Sequence, residues 1–495
     1  MMELLKTFTA DYKQNIAFFS DSFSFPKNKD INIKEFTMAG EKKAALIYLH
    51  GMANEQTIEK ELINILRNVP IDENTTEKIA EVSPVTLKNE VRKKDSALRF
   101  ILNGDAVLIM EGVDFVLPFT TKKFEIRAIE QPEIEKVTKG PKESFIESID
   151  SNISLIRKQL RSPQLITEQL NVGGETEQSP VSMIYIKGIA NDELVEKVKN
   201  RIVEISMDNI SNLSILEQHI EERSYSLIPT VMLTERPDRA ASFLREGHVV
   251  LLMDSSPDCL VMPVTFWSFF HTAEDYYQRW PFGNLLRIIR LFAFFAALLA
   301  PAVFIAVTTY HIESIPTDLL FTFIATRELV PFPSVFELIL LELTFDVFRE
   351  AGLRMPSKVG PVVAMLAALI ISIAAIESGL ISPIVITVVG FSSLASFTIP
   401  TNSFVYAVRI ARFGFITLAA LMGFFGIAIG VQACIAYLTT VKSFDVPFIS
   451  PMAPHYRSSK DLLTRPPLWK MWLRPLHVYP LNRVKGDKPE GGKNR

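Results

Sequence analysis

Long apolar runs after Trp280 are the strongest constraint on the fold of this chain. The first, residues 291–310, has about the 20 residues that an α-helix needs to cross a bilayer. Three more follow at residues 359–376, 380–399 and 413–438. Before Trp280, charged residues alternate with short apolar runs, as in a globular protein. The sequence therefore predicts an α/β N-terminal region followed by an α-helical transmembrane domain in a lipid bilayer.

Basic residues predict the orientation of these spans. Arginines and aromatic residues crowd residues 276–290, and the tail from Lys442 onward holds 11 Lys or Arg against 4 acids. Basic segments stay on the cytoplasmic side, so both ends are predicted to be cytoplasmic and the number of crossings even. We therefore predict four spans, with residues 319–350, broken by VPFP at 330–333, dipping into the membrane or lying at its interface.

One conflict stays open in this topology. Four spans place the basic residues at 349–358 and 409–412 outside the cell. Counting residues 319–350 as a full span brings them inside but moves the more basic tail outside. The larger charge of the tail favours four spans.

An internal repeat organises the N-terminal region. IYLHGMANEQTIEK at residues 47–60 resembles IYIKGIANDELVEK at 184–197, and GDAVLIME from Gly104 resembles GHVVLLMD from Gly247. The two pairs are separated by similar lengths of chain, which indicates two copies of one α/β fold. We predict a duplicated cytoplasmic N-terminal region and these boundaries: subdomain 1 at 1–135, subdomain 2 with a linker helix at 136–280, the helical transmembrane domain at 281–441, and a basic cytoplasmic tail at 442–495.

Several classes of function find no support in the composition. A formal net charge of −3 gives no basis for nucleic-acid binding, and two cysteines cannot build a disulfide framework or a zinc cluster. The seven histidines are scattered, and HExxH, GxSxG and phosphate-loop motifs are absent from the sequence. We expect no enzyme activity, no cofactor and no metal. The start of the chain, MMELLKTFTADYKQN, does not resemble a signal peptide, which predicts a cytoplasmic N-terminal region.

The segment TERPDR at 234–239 combines a helix start with paired charges. Thr234 is predicted to cap a helix that begins near Pro237, with acids in its first turn. The simple interpretation is that its arginines pair with neighbouring acids of the same chain. The alternative is an oligomer or partner contact, made by Thr234, Glu235, Arg236, Asp238 and Arg239.

A stripe of charges runs through apolar sequence after the VPFP break. Three acids follow one another at intervals of four residues, with arginines beside them, so a helix would carry them on one face. Charge facing hydrocarbon is costly, which leaves three hypotheses: an ion-pair ladder between helices, an interfacial helix, or a hydrophilic ion pathway. The stripe comprises Glu337, Glu342, Asp346, Arg349, Glu350 and Arg354.

The next predicted helix is rich in alanine and ends in an acid. Small residues permit close helix packing, which is the simple interpretation. If several copies of the chain surrounded an axis, this helix would present a narrow apolar bore with an acidic ring that favours cations. The candidates for lining the bore are Val363, Ala364, Ala367, Ala368, Ile371, Ser372 and Glu377. A GxxxG at Gly426 and Gly430 is expected to serve packing.

A family resemblance rests on several of these segments together. GPKESFIESIDSNISLIRKQL, YIKGIAN, TERPDR, EDYYQRW, RELVPFPSVFE, REAGLRMPSKVG and AAIESGLISPIVI resemble the A-subunit family of spore germinant receptors, the GerA family, which includes the stage V sporulation AF protein. The resemblance extends from about residue 42 to 475. It implies a location in the inner membrane of a bacterial spore and assembly of copies of the chain into a nutrient-gated cation channel. It also implies partners: a transporter-like B subunit and a lipoprotein C subunit, or alternatively another small membrane protein.

Departures from the family pattern fall near the predicted bore. Ser372 and Ile373 stand where the family commonly has Gly and Gln, and Pro361 stands where Gln is usual. Loss of polar side chains favours an accessory or specialised relative. Two classes of function remain open, a channel subunit and a non-conducting scaffold for partner subunits. The charged stripe favours the channel, because a mere anchor has no use for such costly residues.

Overall fold

The computed structural model describes residues 7–71, 75–123, 132, 135–174, 178–328, 330–354, 360–456 and 461–488. Its first part is an antiparallel sheet with strand order β1-β2-β3-β4. These strands are Ile31–Thr37, Lys43–Leu49, Ala106–Met110 and Leu117–Phe119, and the helices beside them are α1 (Tyr12–Phe23), α2 (Ile63–Leu66, preceded by a π-helix at Thr57–Leu62), α3 (Thr75–Val82) and α4 (Lys94–Leu102).

A second antiparallel sheet follows, with strand order β5-β6-β8-β9-β7. It consists of β5 (Leu165–Gly173), β6 (Gln178–Ile186), β7 (Met232–Thr234), β8 (Val249–Met253) and β9 (Cys259–Met262), and it packs with α5 (Ile149–Gln159), α6 (Asp192–Val203), α7 (Leu213–Ile220) and α8 (Pro237–Glu246). The α/β class predicted for this region is confirmed.

The sequence repeat corresponds to the same element in each sheet. β2 and β6 are central strands, and their side chains alternate between two cores because successive residues of a strand point to opposite faces. In β2, Leu46 and Tyr48 enter one core while Ile47 and Leu49 enter the other. Near-continuous apolar runs such as AALIYL are therefore what a strand covered on both faces requires.

A buried ion pair joins the two sheets. Arg157 of α5 donates from Nε to Asp30 Oδ2 at 2.8 Å, and its other nitrogens donate to the carbonyls of Ser162 and Leu165. Thr167 Oγ1 of β5 also donates to Asp30 Oδ2 at 2.9 Å. The predicted linker helix thus holds the two α/β units together. The predicted domain boundaries themselves remain predictions.

Helices make up the region after residue 273. They are α9 (Glu274–Tyr277), α10 (Trp280–Tyr310), α11 (Thr317–Arg327), α12 (Ser334–Arg354), α13 (Gly360–Glu377), α14 (Pro383–Ser396) and α15 (Asn402–Thr440). The VPFP segment separates α11 from α12, as expected of closely spaced prolines. A short hairpin, β10 (Lys442–Ser443) with β11 (Val446–Pro447), then starts the tail, which packs on the second sheet.

Two of these helices, α10 and α15, are long and apolar enough to cross a membrane, within the part of the chain that is described. The apolar parts of α13 and α14 are shorter, Leu366–Glu377 and Pro383–Ser396. Helix α14 begins after Ser382 and ends before Phe397. Its 14 residues are fewer than the about 20 that a helix needs to cross a bilayer. The predicted count of four spans is therefore not confirmed.

The span predicted at 413–438 is wrong in one respect, because α15 reverses direction inside it. Gly423 has φ 61° and ψ −139°, a conformation that favours glycine. Gly430 lies so close to Phe415 that an added Cβ would come within 2.7 Å of the ring. A straight helix would instead separate these two positions by about 22 Å. Residues 424–440 thus fold back on 402–422, and the glycines at 426 and 430 let the two halves approach, as the packing interpretation of GxxxG predicted.

Candidate functional site

The charged stripe of α12 meets α15 through a buried ion pair. Arg412 Nη1 donates to Glu342 Oε2 at 2.5 Å, and the two side chains are only 3% and 2% exposed. Ser392 of α14 donates from Oγ to Glu342 Oε1 at 3.1 Å. The charge on Glu342 is thus compensated by a cation and a hydroxyl from two other helices, as burial in an apolar region requires.

One turn further along α12, the same two helices pair again. Asp346 forms an ion pair with Arg409, and both side chains are partly exposed. The guanidinium of Arg349 lies over the ring of Phe397, 4.6 Å from its centroid. Acids spaced by four on α12 therefore face arginines spaced by three on α15, because both spacings keep side chains on one face of a helix.

The two ends of the stripe have different environments. Glu350 and Arg354 are exposed and pair within α12 at 2.7 Å. Glu337 is fully buried, and its Oε1 accepts the backbone N–H of Ser382 at the start of α14. Glu337 Oε2 and Ser382 Oγ have no hydrogen-bond partner in the described chain. The contacts of Glu342 and Asp346 fit the hypothesis of an ion-pair ladder; the role of the stripe as a whole remains a prediction.

Helix α13 packs mainly on α12 and exposes most of its other side chains. Ala375 is buried and Ala367, Ala368 and Ser372 are half-buried, so the small residues lie on the packed side. Val363, Ile371 and Glu377 are exposed. The side chain of Ala364 lies outside the described residues. Some of the residues predicted to line the bore are therefore packed in the fold and others are exposed. Small residues do not distinguish the two roles, because close packing with α12 and a narrow bore both require them.

The TERPDR segment is mostly buried in the fold and makes its contacts with residues of the same chain. Arg236 donates to Asp238 at 2.8 Å, Arg239 pairs with Glu135 at 2.6 Å, and Thr234 Oγ1 donates to Glu135 at 2.7 Å. Apart from Glu235, which is partly exposed, the five contact candidates are buried. These contacts fit the simple interpretation of pairing within the chain; a role in oligomer or partner contact stays a prediction.

The predicted cap of this helix is wrong. Helix α8 begins at Pro237 as expected, but its N-cap is Arg236 and not Thr234. Thr234 Oγ1 accepts the N–H of Arg236 at 3.3 Å, which is the amide of the N-cap itself; Thr234 lies two residues before the N-cap. Glu235 precedes the helix, and Asp238 is the acid of its first turn.

A second buried charge cluster lies where the N-terminal α/β region meets α10. Asp275, fully buried, pairs with Arg287 at 3.1 Å and with Arg290 at 2.8 Å. Arg287 also pairs with Asp461 of the tail. The basic residues that the sequence predicts at the cytoplasmic edge therefore fix α9, α10 and the tail to one another. Among the described residues, no group of three or more His, Cys, Asp or Glu could hold a metal ion.

Sequence reasoning missed Arg409 and Arg412 as members of the stripe. In the sequence, these two arginines indicate only the orientation of the predicted spans. The sequence does contain a signal for these pairs. Acids at 342 and 346 and arginines at 409 and 412 all lie in apolar sequence, where a buried charge needs a partner of opposite charge.

Comparison with known families identifies the chain over nearly its whole length. The family model described as "Bacillus/Clostridium GerA spore germination protein" matches residues 21–477. Spore germination protein KA of Bacillus subtilis is 35% identical, with 94% of this chain and 88% of that protein aligned. Spore germination protein A1 of the same organism is 33% identical, covering 90% and 92%.

A second membrane protein and a solved structure are also similar to this chain. The uncharacterized membrane protein YfkQ of Bacillus subtilis is 33% identical, with 94% of this chain and 91% of that protein aligned. Among solved structures, the N-terminal domain of the A subunit of the Bacillus megaterium spore germinant receptor GerK3 is 27% identical, covers 52% of this chain and 97% of that one, and has a TM-score of 0.40. On the family match and these identities, the chain belongs to the GerA family of spore germination proteins.

Proposed function

We propose that this chain is the membrane subunit of a spore germination complex and that copies of it surround a cation-conducting bore lined by α13. The observation that carries the proposal is the exposure of α13. Val363, Ile370, Ala374 and Glu377 are all exposed and recur at helical spacing, so they form one face. An apolar face that ends in an acid suits a dewetting gate with a cation-attracting mouth.

Bilayer lipid could cover only part of α13. A second exposed face, with Val362, Leu369 and Ile373, adjoins the first, about 90° around the helix. We assign this purely apolar face to lipid or to a neighbouring copy. The face with Glu377 is assigned to the bore, because a carboxylate in hydrocarbon is costly.

The reversal at Gly423 supports a topology in which all basic segments are cytoplasmic. Tyr310, at the end of α10, donates to the carbonyls of Ala420 and Leu421 beside the reversal, while Phe294, at the middle of α10 and close to the start of its apolar run at residue 291, stacks on Phe404 near the start of α15. The two halves of α15 then cross separately. With α12 also crossing, the arginines at 349, 354 and 409 and the tail lie on the cytoplasmic side, while Arg412 lies deeper and pairs with Glu342, which removes the conflict of the four-span scheme.

Membership of the GerA family supports our proposal on partners and site of action. We place the protein in the inner membrane of a bacterial spore, with both termini cytoplasmic, in a complex with a transporter-like B subunit and a lipoprotein C subunit. Nutrient sensing is assigned to the B subunit and ion release to copies of this chain. An accessory role of the stage V sporulation AF type is the alternative within the same family.

A non-conducting scaffold is the second candidate function. The pairing of Glu342 with Arg412 favours it, because a fully compensated ion pair needs no hydrated pathway to explain it. Under this alternative the soluble units bind partner subunits and the helices only anchor them.

Ion release from liposomes distinguishes the two functions. The full chain is reconstituted with and without the B and C subunits, and monovalent cation efflux is measured for Val363→Trp and Leu369→Trp. Both replace an exposed apolar residue of α13, but only Val363 lies on the proposed bore face. The channel proposal predicts efflux in wild type, a block by Val363→Trp and near-normal efflux in Leu369→Trp.

Two outcomes would decide against conduction through this face. Efflux equal to that of protein-free liposomes for every variant, even with partner subunits present, supports the scaffold. Equal inhibition by both Trp variants indicates a packing role for α13. Glu377→Gln, with exposed Glu313→Gln as its matched control, is expected to change the ratio of cation to anion efflux without abolishing the flux.

A further inference from the structure

A cavity of about 680 Å³ lies beneath the C-terminal tail, separate from the membrane helices. Its walls come from three parts of the chain: α8, the segment that leads into α10, and the tail. The volume is within the range of about 300–1,000 Å³ typical of small-molecule sites. The residues that line it include Ser242, Arg245, Trp267, Tyr276, Trp472 and His477.

The tail that closes this cavity is firmly attached. Arg474 donates from Nε to the carbonyl of Arg245 at 2.8 Å and from Nη1 to the carbonyl of Asn482 at 3.2 Å. The N–H of Leu481 donates to the carbonyl of Ile189 at 2.9 Å. The cavity is thus part of the fold and not a gap beneath a loose segment.

Three neutral histidines face the cavity. Burial lowers the pKa of His248 to about 4 and that of His477 to about 3, and burial with the charge of Arg287 lowers the pKa of His271 to about 4. The ring nitrogens of His248 and His271 are hydrogen-bonded to the carbonyls of Pro263 and Leu462, at 2.7 Å each. His477 Nδ1, by contrast, is buried and has no hydrogen-bond partner within the described chain. A buried polar atom of this kind usually has a ligand or a water as its missing partner.

The charge that remains uncompensated at the cavity is positive. Each carboxylate of the lining has a cationic partner: Asp238 pairs with Arg236, Glu246 with Lys485 and Asp461 with Arg287. Two cations of the lining, Arg245 and Lys470, form no ion pair with any carboxylate of the described chain. Arg245 is half-buried, and its Nη2 donates to the carbonyl of Gln159 at 2.8 Å. Burial lowers its pKa, an effect that Tyr277 and Glu246 only partly offset.

Aromatic rings form much of the remaining wall. Trp267, Trp472 and Tyr276 line the cavity together with Phe243. Flat apolar groups stack favourably on such rings. The surroundings therefore combine an unpaired cation, an unpaired imidazole nitrogen and aromatic surface.

We propose that this cavity is a binding site for a small organic anion with a flat apolar body, such as an aromatic carboxylate. Its anionic group pairs with Arg245, with Lys470 at the rim, and its ring lies against the tryptophans. His477 Nδ1 completes the polar contacts. Because α8, α9 and the tail meet at this cavity, and Asp461 of its lining pairs with Arg287 of α10, the bound anion stabilises the junction between the α/β region and the first membrane helix.

Calorimetry with 2-naphthoate tests the proposal directly. The full chain in lipid nanodiscs is titrated with 2-naphthoate, with empty nanodiscs as the blank and neutral 2-naphthalenemethanol as the control of equal shape. The variants are Arg245→Gln, which removes the charge, and Ser242→Trp, which fills the cavity. Arg92→Gln, at an exposed arginine just before α4 in the first α/β unit, is the matched control. The thermal midpoint of each variant shows whether it is folded.

The proposal predicts saturable binding of naphthoate and at least about tenfold weaker binding of the neutral alcohol, since a charge-assisted contact is lost. Arg245→Gln weakens naphthoate binding at least about tenfold and Ser242→Trp abolishes it, while Arg92→Gln binds as wild type. If Arg245→Gln does not fold, Lys470→Gln replaces it, with an expected loss of about threefold or more. Heat equal to that of empty nanodiscs, equal binding of acid and alcohol, or unchanged binding in Ser242→Trp would each overturn the proposal.

Discussion

Removal of one partner from the Glu342–Arg412 pair is expected to destabilise the helical region strongly. Both side chains are almost completely buried between α12 and α15. Opposite charges about 4 Å apart attract by about 4 kcal/mol at an effective dielectric constant of about 20. Breaking a buried pair costs about 3–5 kcal/mol, because the remaining charge is left in an apolar environment.

The structure also ranks the two single substitutions. In Arg412→Met, Glu342 keeps its hydrogen bond from Ser392. In Glu342→Met, Arg412 loses its carboxylate partner, and two of its nitrogens have no partner in the described chain even in the intact protein. We therefore expect Glu342→Met to cost more than Arg412→Met, and the double variant to cost less than either, since two apolar side chains leave no buried charge.

The assay is a double-mutant cycle on the free energy of unfolding. The full chain in mixed micelles is titrated with SDS, and helix content is followed by far-ultraviolet circular dichroism. Glu350→Met and Arg354→Met form the control cycle on the same helix, where the pair is exposed. The coupling within an exposed pair of this spacing is about 0.3–0.5 kcal/mol. Additive single effects at Glu342 and Arg412, or a coupling as small as the control, would refute a buried pair and favour a hydrated stripe.

Three further predictions concern the backbone and protonation. Gly423→Ala should destabilise the protein by about 1–3 kcal/mol, measured by the same titration, because the positive φ disfavours alanine and the new Cβ would lie 3.1 Å from Tyr310. Burial and nearby acids raise the pKa of Glu217 to about 8. The folded protein therefore holds a proton that the unfolded chain releases above about pH 4.5, and stability falls as the pH rises through this range. Glu217→Gln should raise the thermal midpoint at pH 9 and change it little at pH 4. Burial lowers the pKa of His248 to about 4, so its contribution to stability is present above about pH 6.5 and is lost as the pH falls towards 4; thermal midpoints measured across that range should fall less steeply in His248→Gln.

The sequence predicts the soluble architecture better than the arrangement of the helices. The repeated strand–turn–helix segments carry their own period and turn signals, and both copies form central strands in the structure. The break at VPFP is likewise local, because proline removes a backbone donor wherever it stands. The reversal at Gly423 was missed because apolar residues continue on both sides, and hydrophobicity does not distinguish one long helix from two helices folded together.

Prediction of the candidate site was limited by tertiary contacts. The acids of α12 stand out in the sequence because charge in apolar surroundings is rare. Their partners lie far along the chain, so only the fold brings Arg409 and Arg412 to them. The alanines of α13 show the opposite problem, since small residues suit both packing and a bore; the structure buries Ala375, leaves Ala367 and Ala368 half-buried and exposes Ala374.

The most direct test of the central proposal is the current through a planar bilayer that contains the full chain with Val363→Cys and Cys434→Ala. A thiol-reactive cation is added, and Leu369→Cys in the same background serves as the control. If copies of α13 line a bore through the Val363 face, reagent should reduce the current of Val363→Cys and leave that of Leu369→Cys unchanged. No current above that of the bare bilayer, or equal inhibition of both variants, would contradict the account.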